Sequence, residues 1–257
     1  MADPLVTYVL LCLSSFLAGA INAVAGGGTL LTFPALLAVV SPIEANATST
    51  MSLIPGSLGS GWGYRAELAQ AKERLRLLWA PSFFGGILGA LAVTRFPEKV
   101  FAAMVPWLLI AASTLLLLQK PLSKYIQAHP HEEPKGWTLW GIVFFQFLVG
   151  IYGGYFGAGI GILMLSALSF MGIPDIHRMN GVKAVLGFLI NGITAVIFVV
   201  EGVVVWKYAL AMAVASTAGG YLGARGARRL RAEHVRALVV TIGFAVAGYS
   251  FWKRFGS

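Results

Sequence analysis

A single cysteine, Cys12, denies this chain an internal disulfide and leaves it no thiolate pair for a structural metal. It lies in an apolar run and reads as a small packing residue. Acid is scarce as well. Only 10 Asp and Glu occur in 257 residues, and no carboxylate pair falls inside an apolar run. With no Ser–His–acid set and no HExxH either, the chain lacks the groups that lipid or peptide chemistry requires. The sequence reads as a non-enzyme. Polar surface is the third shortage: 11% of residues are charged, 58% are hydrophobic and the mean hydropathy is +0.79. That excludes a soluble domain of this size and gives an all-α integral membrane protein whose surroundings are the lipid bilayer.

Positive charge is in excess, 19 Lys and Arg giving a net +9. In a soluble protein this would suggest nucleic acid. Here the basic residues sit in short loops between apolar runs, the pattern of cytoplasmic loops, and no nucleic-acid partner is expected. The N-terminal Met1-Ala-Asp3-Pro4 carries no positive charge ahead of the first apolar run, as a signal peptide would, so that run is expected to be retained.

What the chain has in abundance is glycine, and two stretches concentrate it. The first runs Phe16-Leu-Ala-Gly-Ala-Ile-Asn22-Ala-Val-Ala-Gly26-Gly27-Gly28-Thr29-Leu-Leu-Thr32-Phe-Pro34, and the second holds Gly150, Gly153, Gly154, Gly157, Gly159 and Gly161. Each glycine costs a helix about 1 kcal/mol relative to alanine. In hydrocarbon a broken helix survives only where its freed backbone faces protein or a watery cavity, so a glycine triplet there marks a site. Length agrees. Residues 5–40 would form a helix of about 54 Å against a hydrocarbon core of about 30 Å, so the stretch folds back as a hairpin or a pair of half-helices with a short arm over residues 29–40.

Further apolar runs at 45–64, 77–94 and 99–118 are each long enough to cross. After them residues 119–135 turn polar, with His129, His131, Glu132, Glu133 and three prolines. Two histidines and two acids in a solvated loop do not close a metal site, and no metal or cofactor is expected. The pattern then recurs at 137–171, 176–200, 203–224 and 235–252. Phe16-Leu17-x-Gly19 matches Phe147-Leu148-x-Gly150 at an offset of 131, and Pro42 matches Pro174 at 132. Asn46, Glu67 and Gly85-Gly86-x-x-Gly89 match Asn180, Glu201 and Gly219-Gly220-x-x-Gly223 at 134. The expected organisation is a first repeat over 1–118, a cytoplasmic linker over 119–136 and a second repeat over 137–257. Each repeat has a Gly-broken hairpin followed by three transmembrane helices.

Loop charge orients the repeats. The basic loops are 65–76 in the first and 225–236 in the second, which are not equivalent positions. If both are cytoplasmic, the repeats are inverted, each crosses an odd number of times, and both termini lie outside.

Candidate ligand groups cluster at helix starts and breaks: Asn22, Gly26, Gly27, Gly28, Thr29, Asn46, Thr48 and Ser49 from the first repeat, and Gly157, Gly159, Gly161, Asn180 and Lys183 from the second. Lys183 lies about two turns inside an apolar run with no intramembrane carboxylate to face it, so an anionic ligand is its natural counter-charge. The short arms starting at Thr29 and Gly161 present helix N-termini, which also favour small anions.

The first glycine stretch, followed by Asn46-Ala-Thr-Ser49 and by the looser second copy, resembles the TauE/SafE sulfite exporter family over essentially the whole chain. The counterpart of Ala-Thr-Ser here reads Gly-Val-Lys183. The resemblance implies passive or ion-coupled movement of sulfite, sulfonates or related organosulfur anions across a bacterial inner membrane, with no cofactor. An anion-selective channel, or a transporter of another small carboxylate or inorganic anion, is the alternative, and a homo-oligomer is compatible with either. The topology is directly testable: cysteines placed in 65–76 and in 225–236 are both expected to react only with a reagent added on the cytoplasmic side. Labelling from opposite sides would exclude inverted repeats.

Overall fold

The computed structural model describes residues 3–24, 27–63, 72–128, 134–173, 176–226 and 232–255, and among these the chain is helical without strands. The helices are α1 (Pro4–Val24), α2 (Thr29–Leu37), α3 (Pro42–Gly63), α4 (Lys72–Arg95), α5 (Glu98–Ala128), α6 (Trp137–Tyr155), α7 (Ile160–Phe170), α8 (Ile176–Val200), α9 (Trp206–Gly226) and α10 (Ala232–Phe255). Five of them, α1, α4, α5, α6 and α8, are long and apolar enough to cross a membrane. The nine residues of α2 and the eleven of α7 reach only about 14 and 16 Å, half a bilayer core. Each follows a glycine break, so the fold-back expected from length is present at both.

Although α3 has 22 residues, it is not among the five apolar spans. Its composition follows from its place. It is packed by α1, α2, α5, α8 and α9, and its buried Asn46, Thr48, Ser49 and Ser52 face protein rather than lipid. Ser41 and Glu44 set its start: the Ser41 N–H donates to Glu44 Oε2 at 3.0 Å, with Pro42 at the first helical position, where its missing N–H is no loss.

The tightest packing joins the sequence repeats to each other. α1 packs along α9, and its repeat counterpart α6 packs along α4. Likewise α3 meets α9 as α8 meets α4, and the counterparts α5 and α10 meet one another. Without a hydrophobic driving force between helices in lipid, such pairs depend on close van der Waals contact, which small residues permit. A Cβ on Gly219 would collide with the Phe16 carbonyl, and one on Gly154 with the Gly86 carbonyl. Equivalent buried polar ties accompany them. Ser15 Oγ donates to Met212 O at 2.7 Å, and Gln146 Nε2 donates to Ser82 Oγ at 2.9 Å.

These contacts also give direction. Ser15, Phe16 and Ala20 meet Met212, Gly219 and Gly223 in rising order, so α1 and α9 run the same way. Ser82, Gly85 and Gly89 meet Gln146, Phe147 and Ile151, so α4 and α6 do too. Tyr8 packs on Tyr208, Thr48 Oγ1 accepts the Val205 N–H at 3.0 Å, and Arg95 pairs with Glu201 at 2.8 Å. One face of the molecule therefore holds the starts of α1, α3 and α9 and the ends of α4 and α8.

Two expectations need correction. The short arm ends at Leu37 rather than at residue 40. More substantially, α5 continues to Ala128, ten residues into the stretch read as a linker. Pro121 removes one helical hydrogen bond, but Leu122 packs against the core while Lys120 and Lys124 remain exposed, so the last turns persist beyond the apolar span. His129, His131, Glu132, Glu133 and residues 65–71 and 227–231 of the two basic loops lie outside the described residues.

Close approach predicts a contrast between two glycines. Gly219→Ala should destabilise by about 1–3 kcal/mol through overpacking. Gly248→Ala, where a Cβ meets nothing within 4 Å, should leave stability unchanged or slightly raised. Thermal unfolding in detergent measures both.

Candidate functional site

The two helix breaks are built from different residues but closed in the same way. At the first, Gly27 has φ +94°, a conformation L side chains rarely adopt. Asn22 Oδ1, at the end of α1, accepts the Gly28 N–H at 2.7 Å, and the Leu30 and Leu31 N–H groups bond to the Gly27 and Gly28 carbonyls at 3.0 and 2.9 Å. Thr29 is the half-buried first residue of α2, and Gly26 lies outside the described residues. At the second break, Gly157 and Gly159 have φ +77° and +78°. The Tyr152 carbonyl accepts the N–H groups of Phe156 and Gly157, and the Tyr152 hydroxyl donates to Ala158 O at 2.7 Å. The freed backbone thus finds partners within the protein.

Both breaks meet the same turn at the middle of α5. A Cβ on Gly27 would lie 3.0 Å from Leu116 Cδ2, and one on Gly159 would lie 3.5 Å from Leu115 Cβ. The sequence stretches that looked like counterparts are therefore brought to one place, with a single helical turn as their common floor.

Lys183 stands beside the second of them. It is half-buried on α8, its Nζ donates to Asn180 Oδ1 at 2.8 Å, and its methylenes lie along Gly161, 3.3 Å from where a Cβ would be. Gly161 is in the first turn of α7, so an ammonium and the positive end of a helix dipole share one neighbourhood. Among the described residues, Lys183 has no carboxylate partner.

Other candidates serve to hold elements together. Ser49 Oγ and Thr32 Oγ1 are 2.6 Å apart, joining α3 to α2, and Thr32 also reaches Gly28 O at 3.4 Å. The Thr48 hydroxyl is engaged at the start of α9. Asn46, 1% exposed, donates from Nδ2 to Tyr155 O at 3.0 Å, binding α3 to the end of α6.

The sequence reading missed Tyr152, whose hydroxyl pins the second break, and the cross-repeat ties Ser15–Met212 and Gln146–Ser82. A signal for the latter existed: Ser15 and Gln146 differ by 131, the offset already read from Phe16-Leu17-x-Gly19.

The profile of the family described as sulfite exporter TauE/SafE matches residues 11–250. A probable membrane transporter protein, ORF9, of a Sinorhizobium species is 32% identical over 240 residues, covering 92% of this chain and 89% of that protein. A probable membrane transporter protein of Haemophilus influenzae is 27% identical, covering 92% of this chain and 91% of that one. The probable membrane transporter protein YfcA of Escherichia coli is 28% identical, covering 94% and 88%. No solved structure matches.

The first break supplies a test. Gly27→Leu places a β-carbon at positive φ and against Leu116. The variant should still insert and fold, because the break lies apart from the α1–α9 and α4–α6 contacts, yet transport should fall to background in a proteoliposome flux assay. Near-normal flux would reduce the triplet to packing.

Proposed function

The chain belongs to the sulfite exporter TauE/SafE family of membrane transporters, and on that premise we propose that it carries small sulfur-containing oxyanions across a bacterial inner membrane by alternating access. Sulfite, sulfonates and related organosulfur anions are the substrate class. The observation that carries this reading is the meeting of the two glycine breaks on one turn of α5, with the Lys183 ammonium beside the start of α7. Two positive features in one low-dielectric neighbourhood, without a carboxylate among the described residues to offset them, favour an anion of small size. Hydrogen bonds from Asn180 and from the backbone N–H groups of Gly159 and Gly161 would orient its oxygens, and Thr29 would face it from the other repeat.

Alternating access needs two related units able to trade places around a central site. The inverted arrangement is supported by helix direction: α4 ends at the face where its counterpart α9 begins. With that inversion the two short helices α2 and α7 point their N-termini toward the middle from opposite sides. The family of the chain and of its relatives supports a transporter rather than an enzyme.

Charge discriminates this site from ordinary packing. Lys183→Gln removes one unit charge, and a unit pair at 4 Å is worth about 4 kcal/mol at an effective dielectric of about 20. The loss in binding free energy should be about twice as large for a dianion such as sulfite as for a monoanionic sulfonate. Titration of both in detergent at fixed pH measures it. Equal losses would remove Lys183 from the site.

A further inference from the structure

Asn46 and Asn180 are equivalent positions of the two repeats, and so are Ser49 and Lys183, each pair separated by 134. On α8 the Asn180 side-chain oxygen accepts the Lys183 ammonium, one turn away on the same face, at 2.8 Å. On α3 the residue one turn from Asn46 is Ser49, and its hydroxyl is engaged with Thr32. Asn46 Oδ1 is consequently a fully buried acceptor that no described group satisfies. Turning the amide over does not help, because the nitrogen is fixed by its bond to the Tyr155 carbonyl. Where one repeat places a positive charge against the asparagine oxygen, the other places no described group.

The surroundings of that oxygen favour positive charge. Tyr155 is the last residue of α6, and its carbonyl lies at the negative end of the helix dipole. Glu44, the nearest acid along the chain, is occupied by the Ser41 N–H. The donor set is therefore neutral oxygen, which suits a monovalent cation; a divalent ion would need carboxylates to offset its dehydration.

We propose that Asn46 Oδ1 and the carbonyl end of α6 bind a small monovalent metal cation, in the place that the Lys183 ammonium holds in the other repeat. The inference rests on the transporter reading and deepens it, since such an ion beside the anion site would couple cation movement to transport. The Lys183 ammonium is then a built-in version of the same charge, and the two repeats differ in carrying one cation covalently and the other as a passenger.

The test uses the full chain in detergent with no anionic substrate, chloride and ionic strength being held constant. Sodium, lithium or potassium replaces choline, and the unfolding temperature is followed. A saturable rise is expected with at least one of the metal ions and none with choline. Asn46→Ala should raise the half-saturating concentration at least tenfold. Asn46→Asp, which keeps an oxygen and adds charge, should lower it. If Asn46→Ala does not fold, the Asn46→Asp comparison decides alone. No saturable response in the wild-type chain, or an unchanged half-saturation in the variants, would overturn the proposal and assign the acceptor to water. Because no anionic substrate is present, that failure leaves the Lys183 charge test standing, and failure of the charge test leaves this one standing.

Discussion

Backbone polarity governs everything in this molecule. A peptide group deprived of its helical partner in hydrocarbon costs several kcal/mol, so a chain that breaks two helices inside a membrane must supply replacements at once. Asn22 does so for Gly28, and Tyr152 does so for the turn through Ala158. Glycine then serves a narrow purpose. At Gly27, Gly157 and Gly159 it permits the positive φ that each turn needs. With these three residues and two side chains in place, α2 and α7 can begin at mid-depth.

The breaks would be of little use if they were far apart, and what brings them together is the exchange of helices between repeats. α1 and α6, which lead into the breaks, lie mainly against the other repeat and less against the helices that follow them in sequence. Each docks backbone to backbone on the fourth helix of the other repeat. The repeats of the sequence are therefore not separable bodies. Contact between carbonyl and glycine leaves no room for sliding, so α1 with α9, and α6 with α4, each behave as one rigid element.

Much of this was legible in sequence because it follows from simple counts. Length against bilayer thickness required the fold-backs, and the recurrence of Gly85-Gly86-x-x-Gly89 at Gly219-Gly220-x-x-Gly223 required related packing. What could not be read was the partner of each group. Thr48 and Ser49 look alike in the sequence, yet one holds the start of α9 and the other holds α2. The end of α5 was misplaced because Gln119, Lys120 and Pro121 together resemble a loop. A helix leaving the membrane tolerates all three, since beyond the apolar span solvent takes over from the bilayer and Leu122 still has a core to pack on.

The differences between repeats carry more information than their likeness. Ser82 and Ser216 both tie helices together, as do Ser15 and Gln146, so at those positions the repeats keep a role even where the residue changes. Asn46 and Asn180 keep the residue and change the role. The change traces to one substitution, serine for lysine one turn further on, which gives the second repeat an intramembrane charge and leaves the first with an unsatisfied oxygen. Packing does not call for that asymmetry: neutral side chains at both positions would fill the space without the desolvation of an ammonium. A charge held at such a cost, with a neutral amide oxygen as its bonded partner, favours an anion as counter-charge. Among the described residues no acid lies against Lys183, and both proposed ion sites rest on this asymmetry of the repeats.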